Sequence, residues 1–320
     1  MPCDARNLAE HCSTYVIPEK ELTNMEPETG GNVFVVFSAD YGGRRVVIKR
    51  WHGAVVPNDQ RVQFTKRLIR DLDLWRTLNH PNIAPVLGVA LHVANLPALV
   101  VPELRTVNQV LKENPYTNVT QLMCGIAAGL TYLHAQTPPI TLGDLKGSSV
   151  YLSPSGTPLL SDIGVASIPQ PPYWSYSDVE DARWRAPEVA DPRLRPAQSE
   201  PEWSTHGTPD STSPLAPESD VHAFGMLSYE MHTRARPFNN TRHSTDVILL
   251  VATGHRPPRP SREQSPQLTD ELWDVIQMCW KQDWKERPTM PVVLALLETL
   301  KRTARLRDFD GLATNRRTLV

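Results

Sequence analysis

The chain has 320 residues, 40% of them hydrophobic and 21% charged, with a formal net charge of −2. That length can bury one large core or two moderate ones, and the balanced charge offers no basic excess for nucleic acid and no acidic excess of the kind that keeps a chain disordered. The four cysteines, Cys3, Cys12, Cys124 and Cys279, are scattered without a Cys-x-x-Cys, so neither a zinc ribbon nor a disulfide framework is indicated and a reducing compartment fits best.

Residues 1–24 read as an N-terminal extension, with Asp4, Arg6 and Glu10 where a signal peptide would have an apolar core. No stretch approaches the roughly 18–20 apolar residues of a membrane span, so the expectation is a cytoplasmic protein with neither membrane nor nucleic-acid partners. Val33 to Ser38 and Arg45 to Arg50 are β-rich runs joined by Asp40-Tyr41-Gly42-Gly43, which predicts an antiparallel pair. Residues 61–79 read as a helix because Phe64, Leu68, Leu72 and Trp75 recur at helical spacing, with Asp71 on the same flank. Ala98 to Pro102 reads as a buried strand, followed by Glu103-Leu104-Arg105-Thr106. A second helix is predicted over 119–136 from Val119, Leu122, Met123, Ile126, Leu130 and Leu133.

Two short apolar runs, Val150-Tyr151-Leu152 and Pro158-Leu159-Leu160, flank Ser153-Pro154-Ser155-Gly156 and predict a hairpin. Asp144 lies before it and Asp162 after it, which brings the two carboxylates to one end of the ribbon. Residues 191–217 hold six prolines and seven serines or threonines among 27 and read as a loop or disordered insertion. Residues 303–320, with Arg305, Arg307, Arg316 and Arg317 against Asp308 and Asp310, read as a solvated tail. No histidine falls in a spacing such as His-Glu-x-x-His, so a zinc enzyme is not supported.

Asp144-Leu145-Lys146-x-x-Ser149 followed by Asp162-Ile163-Gly164 resembles the catalytic and metal loops of protein kinases, usually Asp-Leu-Lys-x-x-Asn and Asp-Phe-Gly. Val46-Val47-Ile48-Lys49 resembles the family's Val-Ala-Ile-Lys strand, and His80-Pro81-Asn82-Ile83 its turn after the first helix. Arg185-Ala186-Pro187-Glu188, Ser219-Asp220-Val221-His222-Ala223-Phe224-Gly225-Met226 and Arg287-Pro288-Thr289-Met290 continue the series in the family's order. The chain resembles the eukaryotic protein kinase superfamily, tyrosine-kinase-like branch, over roughly residues 25–300. The resemblance implies an α+β, bilobal domain over 25–302. A small β-rich N-lobe would span 25–102 and a larger helical C-lobe 103–302, the latter interrupted by the insertion at 191–217.

The same resemblance implies ATP and Mg2+ as cofactors, a protein substrate as partner, and a role in intracellular signalling. Lys49 would hold the α- and β-phosphates, under a loop contributing Gly31 and Val36, and Glu103 would lie in the hinge that meets adenine. Asp162 would hold the metal, with Ser149 at the second metal position. Asp144 would orient the substrate hydroxyl and Lys146 steady the γ-phosphate; lysine at 146 points to Ser/Thr substrates. Asp71 takes the place of the helix glutamate that pairs with the lysine, one methylene short. Glu188 would pair with Arg287, and Asp220 would brace the catalytic loop. Departures from the family pattern are also evident. Of the three loop glycines only Gly31 remains, with Thr29 and Phe34 at the others. Leu142 replaces a histidine, Val47 a small residue, Ile163 a phenylalanine, and Ser149 an asparagine. Gly143 replaces the arginine that reads a phosphorylated activation loop, so phosphate on Tyr173, Ser175 or Tyr176 would not act through that contact. Two readings stand: a slow kinase, or a pseudokinase serving as a binding or scaffold module with weak or no nucleotide binding. The retained charges favour the first, because carboxylates facing a cleft are costly without cations to satisfy them.

Overall fold

The computed structural model describes residues 15–28, 34–51, 58–93, 96–168, 181–191 and 215–317. Alternating side chains in the first third of the chain build strands β1 (Thr23–Pro27), β2 (Phe34–Tyr41), β3 (Arg44–Trp51), β4 (Gly88–Ala90) and β5 (Ala98–Pro102). They form one antiparallel sheet in the order β1-β2-β3-β5-β4. Because a strand turns successive side chains to opposite faces, β3 sends Val46 and Ile48 into a cluster on one side and Trp51 into the main core on the other. Lys49 shares the parity of Trp51, and the register sets Val36 directly across from it.

Helix α1 (Asn58–Thr77) covers that face. Its Phe64, Leu68, Leu72 and Trp75 are all buried, each contributing about 1.5–3 kcal/mol by leaving water. Trp51 meets the Phe64 ring edge-on at 5.0 Å, and the Trp75 indole donates to the Ala84 carbonyl at 2.7 Å. The N-terminal boundary differs from the expected one. The Ile17 amide donates to the Val89 carbonyl at 2.9 Å, and the Val89 amide to the Tyr15 carbonyl at 2.8 Å. Part of the segment read from sequence as an extension is thus hydrogen-bonded into the small lobe: Tyr15 to Ile17 cover the edge of β4 that would otherwise lie open, and Thr23 pairs with β2 at the opposite edge.

The larger lobe starts with β6 (Arg105–Thr106), α2 (Val107–Glu113) and α3 (Val119–His134), followed by the hairpin β7 (Val150–Leu152) and β8 (Pro158–Leu160). The three strands form a second sheet, with Val150 opposite Leu160. Then come α4 (Pro187–Ala190), α5 (Pro217–Thr233), α6 (Ser244–Ala252), α7 (Asp270–Cys279) and α8 (Met290–Arg317). The last helix runs through most of the segment expected as a tail. One hydrophobic core extends from Trp51 to Leu297 and joins the two lobes. Among the described residues, no helix is long and apolar enough to cross a membrane.

Helix α5 is buried from Ser219 to His232, as expected only of a helix enclosed on all sides, yet it carries Asp220, His222, Ser228, Glu230 and His232. Burial and Arg234 push His232 down to about 4, and burial with Arg287 and Arg256 holds His222 well below its ordinary value. An unfolded histidine titrates near 6.5. The folded state therefore binds fewer protons than the unfolded state between about pH 4 and 6.5, and stability is lost as pH falls through that window. For His232 alone the loss approaches about 3 kcal/mol. Urea unfolding should show a midpoint that drops from pH 7 to pH 4.5, with a visibly smaller drop in His232→Gln; an equal drop in both proteins would remove His232 from the pH dependence.

Candidate active site

Residues 142–149 lie outside helices and strands and owe their shape to α5. Asp220, 1% exposed, accepts the Leu142 amide at 2.8 Å and the Gly143 amide at 2.9 Å. His134 Nε2 lies 3.0 Å from the same carboxylate. Gly143 is held at φ +78°, and a Cβ there would come 2.8 Å from Ala166 and 3.0 Å from Leu215. An arginine at 143 is thus excluded by both backbone conformation and space.

The loop is closed from inside by Ser149, whose buried hydroxyl lies 2.5 Å from the Asp144 carbonyl and 3.0 Å from the Lys146 carbonyl while accepting the Lys146 amide at 3.0 Å. Ser149, expected at the second metal position, here engages its hydroxyl within its own loop. One carbon shorter than asparagine, the side chain turns back onto its own loop, and its proton goes to a carbonyl. Asp144 remains accessible, 39% exposed, with Lys146 Nζ donating to it at 2.8 Å.

Asp162 follows β8 and adopts a left-handed backbone at φ 59°. Its two oxygens accept from Lys49 Nζ at 2.8 and 2.6 Å, a pair with only 5% and 12% of the side chains exposed. Lys49 Nζ also lies 4.9 Å from the centre of the Tyr151 ring and 5.7 Å from that of Phe34. Burial alone would lower its ionisation, but Asp162 and Tyr151 outweigh burial and hold the ammonium above its ordinary value. Burial raises the Tyr151 phenol; Lys49 opposes that rise, and Asp162 and Asp144 add to it. Three of the expected site residues therefore act on one tyrosine, whose importance the sequence reading did not identify.

The expected Lys49–Asp71 pair is replaced by another arrangement. Asp71 accepts from Arg67 Nε at 3.1 Å, one helical turn back, and Asp162 takes the ammonium. The missing methylene is the reason: Asp71 packs on Gly164, where a Cβ would come 3.0 Å from its own, and reaches Arg67 along the helix. Glu103 follows β5; its amide donates to the Arg45 carbonyl at 3.3 Å and its carboxylate accepts from Arg45 Nε at 3.1 Å. The hinge ends at once in β6 and in Thr106, which accepts the Gln109 amide at 3.3 Å to cap α2. Gly31, Thr29, Tyr173, Ser175, Tyr176 and most of the 191–217 segment lie outside the described residues.

A further residue absent from the sequence reading is Glu230. Buried on α5, it accepts from the Gly147 amide at 3.0 Å, the Asn108 amide group at 2.8 Å and the Trp184 indole at 2.8 Å. Burial pushes its carboxyl up and these donors pull it back. Glu188 and Arg287, in contrast, form the expected bidentate pair at 2.6 and 2.8 Å, with 3% and 0% of their side chains exposed.

Among the described residues, no cluster of three or more histidines, cysteines and acids could hold a metal. The donor chemistry nevertheless suits a polyphosphate with a hard divalent cation: Asp162 offers carboxylate oxygens to such an ion, which takes its remaining ligands from phosphates and water, and Lys49 and Lys146 offer cations to phosphate oxygens.

A family model described as "Protein kinase domain" matches residues 29–296. Kinase suppressor of Ras 2 from Mus musculus is 28% identical over 282 residues, covering 80% of this chain and 27% of its own length. Serine/threonine-protein kinase CTR1 from Arabidopsis thaliana is 23% identical over 298 residues, covering 90% of this chain and 32% of its own. Probable serine/threonine-protein kinase SIS8 from the same plant is 24% identical over 291 residues, covering 88% and 25%. The chain thus spans about a quarter to a third of the length of these relatives.

Removing one partner of a buried ion pair leaves the other charge uncompensated, which costs about 3–5 kcal/mol. Glu188→Ala should lower the unfolding free energy extrapolated from denaturant by that amount, and Glu188→Leu with Arg287→Met should recover a good part of it. A single variant within 1 kcal/mol of the parent, on the order of an exposed pair, would contradict the pair's placement in the core.

Proposed function

The chain belongs to the protein kinase family, tyrosine-kinase-like branch, and we propose that it is an ATP-dependent kinase domain transferring the γ-phosphate slowly to a Ser/Thr hydroxyl of a signalling protein. The observation that carries this reading is the meeting of Lys49 with Asp162, beside a loop held by Asp220 that carries Asp144 and Lys146 as a second pair.

When bound, ATP with a divalent cation, magnesium in this reading, supplies the phosphoryl group and neutralises its charge. Lys49 would hold the α- and β-phosphate oxygens and Asp162 the metal. Asp144, the more exposed carboxylate, orients the substrate hydroxyl and accepts its proton. Lys146 lies 2.8 Å from it and steadies the γ-phosphate. Lys49 and Asp162 must first give up one another, which is the physical ground for slow turnover.

A second reading, the pseudokinase scaffold, is favoured by the same pair. Lys49 and Asp162 already satisfy each other, so their retention does not by itself require a bound cation or phosphate, and Ser149 spends its hydroxyl inside the loop.

Thermal unfolding against ATP, with and without magnesium and beside Lys49→Met, separates the two. A ligand at 100 times its dissociation constant stabilises by about 2.7 kcal/mol, so the kinase reading expects a metal-dependent rise in Tm that the lysine variant loses. Asp144→Asn should abolish transfer with nucleotide binding nearly intact; undiminished turnover would remove Asp144 from the chemistry.

A further inference from the structure

A phosphate-binding lysine must be reachable from the cleft, and Lys49 is not. Only 5% of its side chain is exposed. Asp162 takes its ammonium from one direction, the Tyr151 ring stands 4.9 Å from it and the Phe34 ring 5.7 Å from it. The two rings come from different strands, Phe34 from the start of β2 and Tyr151 from the middle of β7. Phe34 is itself anchored, its ring 4.6 Å from that of Trp51. Tyr151 is half-buried and flanked in β7 by the buried Val150 and Leu152. It is therefore the lid component with room to move.

We propose that Tyr151 is the gate of the nucleotide site: its phenol stands at Lys49 where a phosphate oxygen must come, so a nucleoside polyphosphate binds only to molecules in which that side chain has turned away. The inference rests on the reading of the cleft as a nucleotide site. Lys49 is a cation enclosed by one carboxylate and two aromatic faces, an arrangement that satisfies it without a ligand. Rotation of Tyr151 uncovers the ammonium from the cleft side, and a phosphate oxygen then takes the place of the phenol as Lys49 and Asp162 release one another to the ligand. The hydroxyl and the ring make separable contributions. The hydroxyl competes for the ammonium, whereas the ring fills the volume in front of it. When the binding-competent state is only fractionally populated, the apparent dissociation constant rises by the inverse of that fraction.

Equilibrium binding of MgATP to the full chain tests the gate in four proteins: the parent, Tyr151→Leu, Tyr151→Phe, and Tyr151→Leu combined with Lys49→Met. Tyr151→Leu is expected to bind at least about tenfold more tightly than the parent. Tyr151→Phe, which keeps the ring and the fold, should fall between them, and the combined variant should lose the gain. Equal binding by the parent and both single variants overturns the gate and leaves the nucleotide reading intact. A gain that survives Lys49→Met also overturns it, because the ring would then be blocking something other than the lysine. No binding by any of the four at millimolar MgATP, with all of them folded by circular dichroism, overturns the nucleotide reading and the gate with it.

Discussion

The carboxylate of Asp220 is the point from which the site is hung. It is a charge with 1% exposure, and in an apolar interior such a group is tolerable only if its acceptor capacity is filled. Two backbone amides from Leu142 and Gly143 and the His134 ring fill it. The requirement works in both directions. The acid is stabilised by the amides, and the loop that presents Asp144 is fixed by an anchor that α5 cannot move without losing its own packing. Ten residues further along the same helix, Glu230 repeats the device on Gly147 and extends it to Trp184 and Asn108. A helix with no solvent face thus holds the loop at both ends of its reactive stretch, and its two acids explain why so polar a segment is buried at all.

Much of this architecture was legible in the sequence, for identifiable reasons. The hairpin over 150–160 followed from two apolar runs around a turn, and α1 from the spacing of Phe64, Leu68, Leu72 and Trp75, because local periodicity and burial point the same way there. Glu188 and Arg287 could be matched because each lies within a motif whose order along the chain constrains its partner. The misjudged features depend on reach. Whether Asp71 meets Lys49 is decided by one methylene and by Arg67 a turn away; whether Ser149 faces a metal is decided by which carbonyl its short side chain meets first. Tyr151 and Glu230 gave no pattern to read, since the meaning of each comes from its partners in the fold: Gly147, Asn108 and Trp184, 46 to 122 positions distant, for Glu230, and Lys49 on β3 with Asp162 for Tyr151. The N-terminal bridge to β4 was missed for a related reason. Tyr15 to Ile17 look like any short extended stretch until the edge of β4 is known to need a neighbour.

The contacts of Asp71 and Asp162 are also linked. With a glutamate at 71, Lys49 would have a partner on α1 and Asp162 would be left for a cation. The shorter side chain hands Lys49 to Asp162 instead, and the two groups needed at opposite ends of a metal–triphosphate neutralise each other. Lys49 with Asp162, and Lys146 with Asp144, then compensate one another, which weakens the inference from retained charge to retained chemistry: a lysine and an aspartate can persist as a structural pair between β3 and the end of β8.

The charges of that pair contribute little to the balance between the closed cleft and the proposed open one. A buried ion pair of this kind gains little over water because desolvation offsets much of the Coulomb attraction, and here the partners also keep a small residual exposure. An incoming triphosphate with its metal brings the same charges in the opposite assignment, anion to Lys49 and cation to Asp162, so the exchange conserves the number of charge contacts. The electrostatic cost of opening is therefore largely returned on binding. What is not returned in the proposed opening is the displacement of apolar cover, the Tyr151 ring, from beside an anchored Phe34. This has no counterpart in the ligand's phosphates. The balance between an empty closed cleft and an occupied open one is thus set less by the charged residues that define the motif than by the aromatic residues packed around them.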